Sequence, residues 1–371
     1  MSFDALTLAS ASIGRLRAYD TGPDKRLARE RELAPAELGS NEHAFGPSPK
    51  ALAAMREELA RAHRYPDPNG TELRKTLANH FAIEPTTITF GNGSNELIVM
   101  LAECFAGPEN SVVYSQYAFA VYAIATAAVG ARAIEVPALA RDHATMPLGH
   151  ELGAMAAAIR PNTTLVFLAN PNNPTGGCFD DDALDAFLDS VPQNVLVVMD
   201  EAYIDFVSPD IFRSAIDRIE RHPNLLVLRT FSKAHALAGL RIGYAISHAS
   251  TATVLARLRQ PFNVNRIALA AAEAAFLDFD YLERCICMTV AERDHLADAL
   301  ADLGYSTLPS QTNFLMVDFG SAASAVEDAF YQGGIIVRPM GGYGLPQMLR
   351  ISVGTPDENR RLLAILASKG D

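Results

Sequence analysis

The sequence predicts an α/β protein: a large domain on a mostly parallel sheet with helices on both faces, then a smaller α+β domain. Three observations predict it. Between residues 87 and 246, short apolar β-branched runs alternate with longer helical patterns, the rhythm of a parallel sheet with crossover helices. The runs, at 87–90, 111–114, 165–169, 195–199, 225–229 and around 244–246, are too continuously apolar for a half-exposed sheet. They read as buried strands. After residues 259–265 the texture changes to a long Ala-rich helical stretch, roughly 265–303, followed by short strands and another helix.

In chain order, the polar, Arg-containing residues 1–45 read as an N-terminal arm that ends in a turn-rich stretch. Residues 46–262 form the large domain and 263–371 the small one. With 371 residues, 49% of them hydrophobic and 20% charged, the chain can bury a sizeable core. A formal net charge of −12 argues against a nucleic-acid surface but leaves room for a local anion site. Cys104, Cys178, Cys285 and Cys287 make no zinc or disulfide pattern, and His80, His143, His150 and His222 show no metal spacing. No stretch resembles a signal peptide or approaches the ~20 apolar residues of a membrane span, so a cytoplasmic enzyme is expected.

The chemistry is carried by the residues just past each predicted strand. Ligands of open α/β sheets bind beyond the carboxyl ends of the strands. Gly-Asn-Gly-Ser-Asn (91–95) comes after the first run, Tyr117 after the second, and Asn-Pro-Asn-Asn-Pro-Thr-Gly (170–176) after the third; Asp200 ends the fourth and Phe-Ser-Lys (231–233) succeeds the fifth. Singly, each has an ordinary reading. The glycine-rich segment is a plain turn or a phosphate cradle at a helix start. The Asn-Pro segment is a rigid loop or a ligand loop, and Asp200 is half of a structural ion pair or a functional carboxylate needing a partner. Five such elements on one sheet edge point to a site.

The combination resembles a known family. Asn-Pro-Thr-Gly (173–176), Asp-Glu-Ala-Tyr (200–203) and Ser-Lys-Ala-His-Ala-Leu-Ala-Gly-Leu-Arg-Ile-Gly-Tyr (232–244) are similar to the motifs of the fold-type-I pyridoxal 5'-phosphate (PLP) enzymes, in order and spacing. The likeness runs from about residue 35 to the C-terminus. Segments 40–49, 64–70, 91–96, 116–122, 337–344 and 349–355 resemble the histidinol-phosphate aminotransferase branch, with one departure, His43-Ala44 in place of the usual Asn-Pro.

The resemblance implies a PLP-dependent transferase fold of type I, with a seven-stranded sheet in the large domain. It implies Lys233 as the cofactor's imine partner and general base, in a ping-pong aminotransfer. Asp200 would hold the ring nitrogen protonated, so that the ring acts as an electron sink. Asn173 and Tyr203 would bond the phenolic oxygen, and Tyr117 would stack on the ring. Gly93, Ser94, Asn95, Ser232 and Arg241 would form the phosphate cup, and Tyr65 would reach the phosphate of a neighbouring subunit in a homodimer with shared sites. The substrates would be a small amino donor and a 2-oxo acid acceptor, and Arg350 would grip the carboxylate of a donor such as glutamate. Arg338 and Tyr19, with Asn41 nearby, are the candidates for a substrate phosphate; the ordinary readings are a solvated strand end for Arg338 and a packing residue for Tyr19.

Four functions are compatible with this resemblance. The first is transfer between histidinol phosphate and 2-oxoglutarate in histidine biosynthesis. The others are an aromatic amino acid aminotransferase, a PLP-dependent amino-acid-phosphate decarboxylase, and a non-catalytic PLP-binding regulator. The last would need a DNA-binding segment and basic charge that the chain lacks.

Overall fold

The computed structural model describes residues 3–16 and 35–368. Among them a seven-stranded sheet forms the large unit: β1 (Ile88–Gly91), β2 (Ser111–Ser115), β3 (Arg132–Val136), β4 (Thr163–Ala169), β5 (Leu196–Asp200), β6 (Leu225–Thr230) and β7 (Gly243–Ser247). Their order is β1-β7-β6-β5-β4-β2-β3, and only β7 runs against its neighbours. The mostly parallel sheet expected from the sequence is therefore present. The continuous apolar runs have a simple cause. Successive strand residues point to opposite faces, and both faces are covered. Val166, Leu168, Val197 and Met199 pack into one core, while Leu165, Phe167, Leu196 and Val198 pack into another.

One strand of this sheet escaped the sequence reading. β3, Arg-Ala-Ile-Glu-Val, is the exposed edge, and its two charged residues broke the apolar run. Charges on an edge discourage pairing with another chain.

Register sets the site. Ala169 pairs with Asp200, and Asp200 with Leu228, so β4 and β5 end together and β6 runs two residues further, to Thr230. Because β7 is antiparallel, its first residue, Gly243, lies between Gly91 and Thr230 at that same edge. The helices α1 (Gly93–Phe105) and α2 (Val121–Ala128) start there too.

The predicted helix over 265–303 is two helices, α3 (Arg266–Phe276) and α4 (Phe279–Asp302), broken at Leu277-Asp278. No Gly or Pro marks the break, so apolar spacing runs through it unnoticed. Ala268, Ala271, Ala272, Ala275 and Phe276 pack into the large core, so in packing terms α3 sits with the large unit although it comes after residue 262. Beyond it, β8 (Ser306–Thr307), β9 (Phe314–Asp318), β10 (Arg338–Pro339) and β11 (Met348–Ser352) form an antiparallel sheet in the order β10-β11-β9-β8. Part of the expected arm is built into this unit. Ala36–Glu37 pairs in parallel with Ile335–Ile336, and Ser352 N donates to Leu38 O. Among the described residues no helix is long and apolar enough to cross a membrane.

His150 is a core residue, its Nε2 2.9 Å from Ala169 O at the end of β4. Burial pushes its pKa down to about 4. The unfolded chain then binds a proton below pH ~6.5 that the folded chain refuses, so stability is full above ~6.5 and lost as pH falls toward ~4. At about 1.4 kcal/mol per pH unit, the loss across that window is on the order of 3 kcal/mol. Urea unfolding at pH 7.5 and 5 should show it, with a smaller pH difference in His150→Gln.

Candidate active site

A cavity of about 350 Å³ opens at the strand ends, lined by Ser94, Asn95, Phe119, Asn173, Asp200, Tyr203, Ser232, Lys233 and Arg241 among others. It shares Ser40, Phe119, Asn173, Tyr203 and Lys233 with a larger cavity of about 1080 Å³ that extends to Asn41, Arg338 and Arg350. The two form one cleft between the sheet edge and the small unit.

Lys233 points into it from the turn after β6. Its Nζ donates to Asn41 O at 3.0 Å and Ser40 O at 3.3 Å. Burial, then the Arg350 charge, pushes its pKa down to about 7, so a large fraction is the neutral amine near neutrality. Asp200 is 5% exposed. Its Oδ2 accepts from Tyr122 Oη at 2.8 Å and its Oδ1 from Ala202 N at 3.2 Å. Burial pushes it up to about 6, against the opposing pull of those two hydrogen bonds. Its neighbour Glu201 is committed elsewhere, to Arg229 at 2.8 Å, Ser214 and Ala215 N.

At the far end, Gly93 opens α1 at φ +75°, and a Cβ there would lie 2.5 Å from Arg241 Nη2. A Cβ on Gly243 would lie 2.7 Å from Ser94 N. Only glycine permits this approach. The residue before α1, Asn92, makes no side-chain cap, so the first N–H groups of the helix remain available to an anion. Arg241 adds its guanidinium beside them, bonding Ser232 Oγ at 3.4 Å and Ala238 O at 3.0 Å. A helix start, an arginine and Ser232 suit a phosphate. A buried carboxylate and a lysine of lowered pKa on the same cavity suit the pyridine nitrogen and the aldehyde of PLP. The residues present fit the cofactor.

Asn41 is buried in the left-handed region at φ +54°. Its N donates to Ser352 Oγ at 2.8 Å and its Nδ2 to Tyr203 Oη at 2.8 Å, while its O accepts from Asn313 Nδ2 at 3.1 Å. Burial pushes Tyr203 up to about 12, so its hydroxyl stays protonated. Arg350 Nη1 donates to Asn173 Oδ1 at 2.6 Å and Nη2 to Gly39 O at 2.9 Å, its guanidinium 5.3 Å over the Phe314 ring. Arg338 is its register partner on β10.

His43, the departure from the branch pattern, accepts the Phe45 N–H on Nδ1 at 3.2 Å.

Two of the sequence candidates are not on the cleft. Tyr117 packs against the apolar cluster of Leu148, Leu308, Met316, Met340, Leu345 and Met348, and its own O accepts from Asn172 Nδ2; Phe119, two residues on, lines both cavities. The structure thus brings Phe119, and not Tyr117, to the cavity where a ring would stack. Tyr117 and Phe119 lie between β2 and α2 and Tyr122 in the first turn of α2, all within six residues, and only the path of the chain there decides which ring faces in. Tyr65 is 77% exposed and stacks on Phe262 at 4.7 Å, away from this chain's own cleft. A third candidate, Tyr19, lies outside the described residues. The sequence reading also missed Tyr122, Asn313 and Ser352; none carries a local signal, since each acts across the fold.

Residues 36–366 match the family model described as aminotransferase class I and II. The chain belongs to that family. It is a PLP-dependent aminotransferase. A protein of Pseudomonas aeruginosa named histidinol-phosphate aminotransferase 2 is 49% identical over 367 residues, covering 98% of each chain. One of the same name from Ralstonia nicotianae is 47% identical over 357 residues, 94% of each. The crystal structure of histidinol-phosphate aminotransferase from Sinorhizobium meliloti, in complex with pyridoxal-5'-phosphate, superposes with a TM-score of 0.88 at 32% identity, covering 97% of this aminotransferase and 98% of that chain.

Proposed function

We propose that this aminotransferase moves the amino group of histidinol phosphate to 2-oxoglutarate, as a cytoplasmic homodimer with Tyr65 offered to the neighbouring subunit. The observation that carries the substrate reading is the pair Arg338 and Arg350, side by side on β10 and β11 and both on the larger cavity. The names of the near-full-length relatives agree with it. One arginine suits the carboxylate of the 2-oxo acid, and two anion anchors suit a pair of substrates of which one ends in a phosphate.

PLP, when bound, supplies the carbonyl that takes the amino group and the ring that accepts electrons as the Cα–H bond breaks. The chain does the rest. Lys233 Nζ, neutral at its lowered pKa, holds the cofactor, then takes the Cα proton and hands it on. Asp200 keeps the ring nitrogen protonated. Asn173 and Tyr203 bond the phenolic oxygen. The α1 N-terminus, Ser232 and Arg241 bind the phosphate. Phe119 covers the ring face. Arg350 exchanges its contacts with Asn173 and Gly39 O for an incoming carboxylate.

Replacing Arg338 with Met tests the substrate reading. The KM for histidinol phosphate should rise about 100-fold, since a lost charge-assisted contact is worth ~1.5–3 kcal/mol. The KM for phenylalanine should hardly change. Equal effects on both would count against a phosphate anchor at this position.

A further inference from the structure

We infer that Tyr122 is a positioning residue for the cofactor ring, whose one phenol fixes both the Asp200 carboxylate and the ring of Phe119. The inference rests on the role proposed above for Asp200 at the ring nitrogen.

Tyr122 never reaches the cleft. It is 0% exposed at the start of α2, and its ring lies flat on Phe167, 4.7 Å between centroids and 4° between planes. The backbone is pinned as well: Tyr122 N donates to Phe119 O at 3.0 Å, and Thr126 Oγ1 donates to Tyr122 O at 2.7 Å. The side chain is thus held on its face and at its root, leaving the hydroxyl a defined place, 2.8 Å from Asp200 Oδ2. Its other ring contact is with Phe119, edge to face at 5.9 Å and 90°. Phe119 and Asp200 both line the cofactor cavity. A ring nitrogen must meet Asp200 while the ring face meets Phe119, so the two surfaces must hold a fixed relation. Tyr122 touches both.

A packing role alone would not require a hydroxyl. Phenylalanine would stack on Phe167 equally well, and a buried phenol must find a partner to avoid a penalty of ~1–3 kcal/mol. The partner here is a carboxylate that burial is pushing toward its neutral form. A hydrogen bond donated to the anion opposes that push. Burial and the nearby Asp200 charge raise the Tyr122 pKa well above its ordinary value, so the hydroxyl remains a donor. With Oδ2 held by Tyr122 and Oδ1 by Ala202 N, the carboxylate keeps its plane and turns its remaining lone pairs to the cavity.

The test compares PLP with its 1-deaza analogue, in which C–H replaces the ring nitrogen. Full-length protein is stripped of cofactor, and the dissociation constant of each is measured. Phosphate and face contacts are common to both, so the ratio of the two constants isolates the Asp200 contact; an unfolded fraction cancels in it. Tyr122→Phe should lower the preference for PLP about tenfold, as loss of one hydrogen bond to a charged group would, with the KM for 2-oxoglutarate unchanged. Tyr122→Leu should lower the ratio equally and in addition weaken both cofactors, because Phe119 loses its support. An unchanged ratio in Tyr122→Phe overturns the inference. Asp200→Asn is the control for the underlying reading: it should collapse the ratio by itself. If it does not, the assignment of Asp200 has failed; if it does and Tyr122→Phe has no effect, only the role of Tyr122 has failed.

Discussion

Lys233→Ala is expected to abolish turnover and to remove the visible absorbance that marks the cofactor joined to the protein. The expected loss exceeds roughly 10⁴-fold, because one substitution removes both the attachment point and the base, and a positioned base alone contributes ~10²–10⁴. The structure explains why this lysine suits both tasks. It is half-buried, and the charges of Arg350 and Arg241 disfavour its ammonium form while Glu42 and Asp200 only partly offset them. A pKa near 7 gives a neutral nucleophile without an alkaline medium. Capture of PLP by the stripped protein should therefore speed up as pH rises through about 7 and level off above it. Lys233→Arg should fold and bind the phosphate, yet show neither the absorbance nor turnover. Retained turnover in either variant would remove Lys233 from the mechanism.

Asp200→Ala is expected to leave the protein folded and cost roughly 10³-fold or more in kcat, since the ring nitrogen loses the charge that keeps it protonated. The effect should fall on kcat more than on the KM for the 2-oxo acid, because Arg350 is untouched. Two effects on stability oppose each other: the buried Tyr122 hydroxyl loses its acceptor, at a cost of ~1–3 kcal/mol, while a carboxylate whose charged form burial makes costly, its pKa pushed up to about 6, is removed. A loss of only a few-fold in kcat would mean that the ring nitrogen lies elsewhere.

Much of this site could be read before any coordinates, because its parts are local. Lys233, Asp200 and Asn173 each sit close to the carboxyl end of a buried strand, which announces itself as the point where an apolar run stops, and Arg241 sits just before the run of β7 begins. Gly93 and Gly243 were harder to value from sequence alone. Their necessity comes from a helix start, an arginine and a returning strand that meet only in the fold. The sequence hid whatever depends on the direction of a turn or on a contact across the chain. The turn 116–120 swings Phe119 rather than Tyr117 into the cleft. Asn41 gains its role from Ser352 and Asn313, some 270 to 310 positions away in the chain. The β3 edge failed the apolar criterion because edges carry charge for their own reasons. The split between α3 and α4 was invisible because Ala-rich spacing persists across it.

The measurement that tests the account most directly is a half-reaction. Purified protein carrying PLP is mixed with histidinol phosphate, without any keto acid, and the visible band is tracked in time; the same is done with phenylalanine. The account predicts prompt loss of the band with histidinol phosphate, at least about 100-fold faster than with phenylalanine at equal concentration, a margin set by ~3 kcal/mol of phosphate recognition. Prompt conversion by phenylalanine or tyrosine, with histidinol phosphate inert, would contradict it: the cleft would then serve aromatic amino acids, and Arg338 would hold no phosphate.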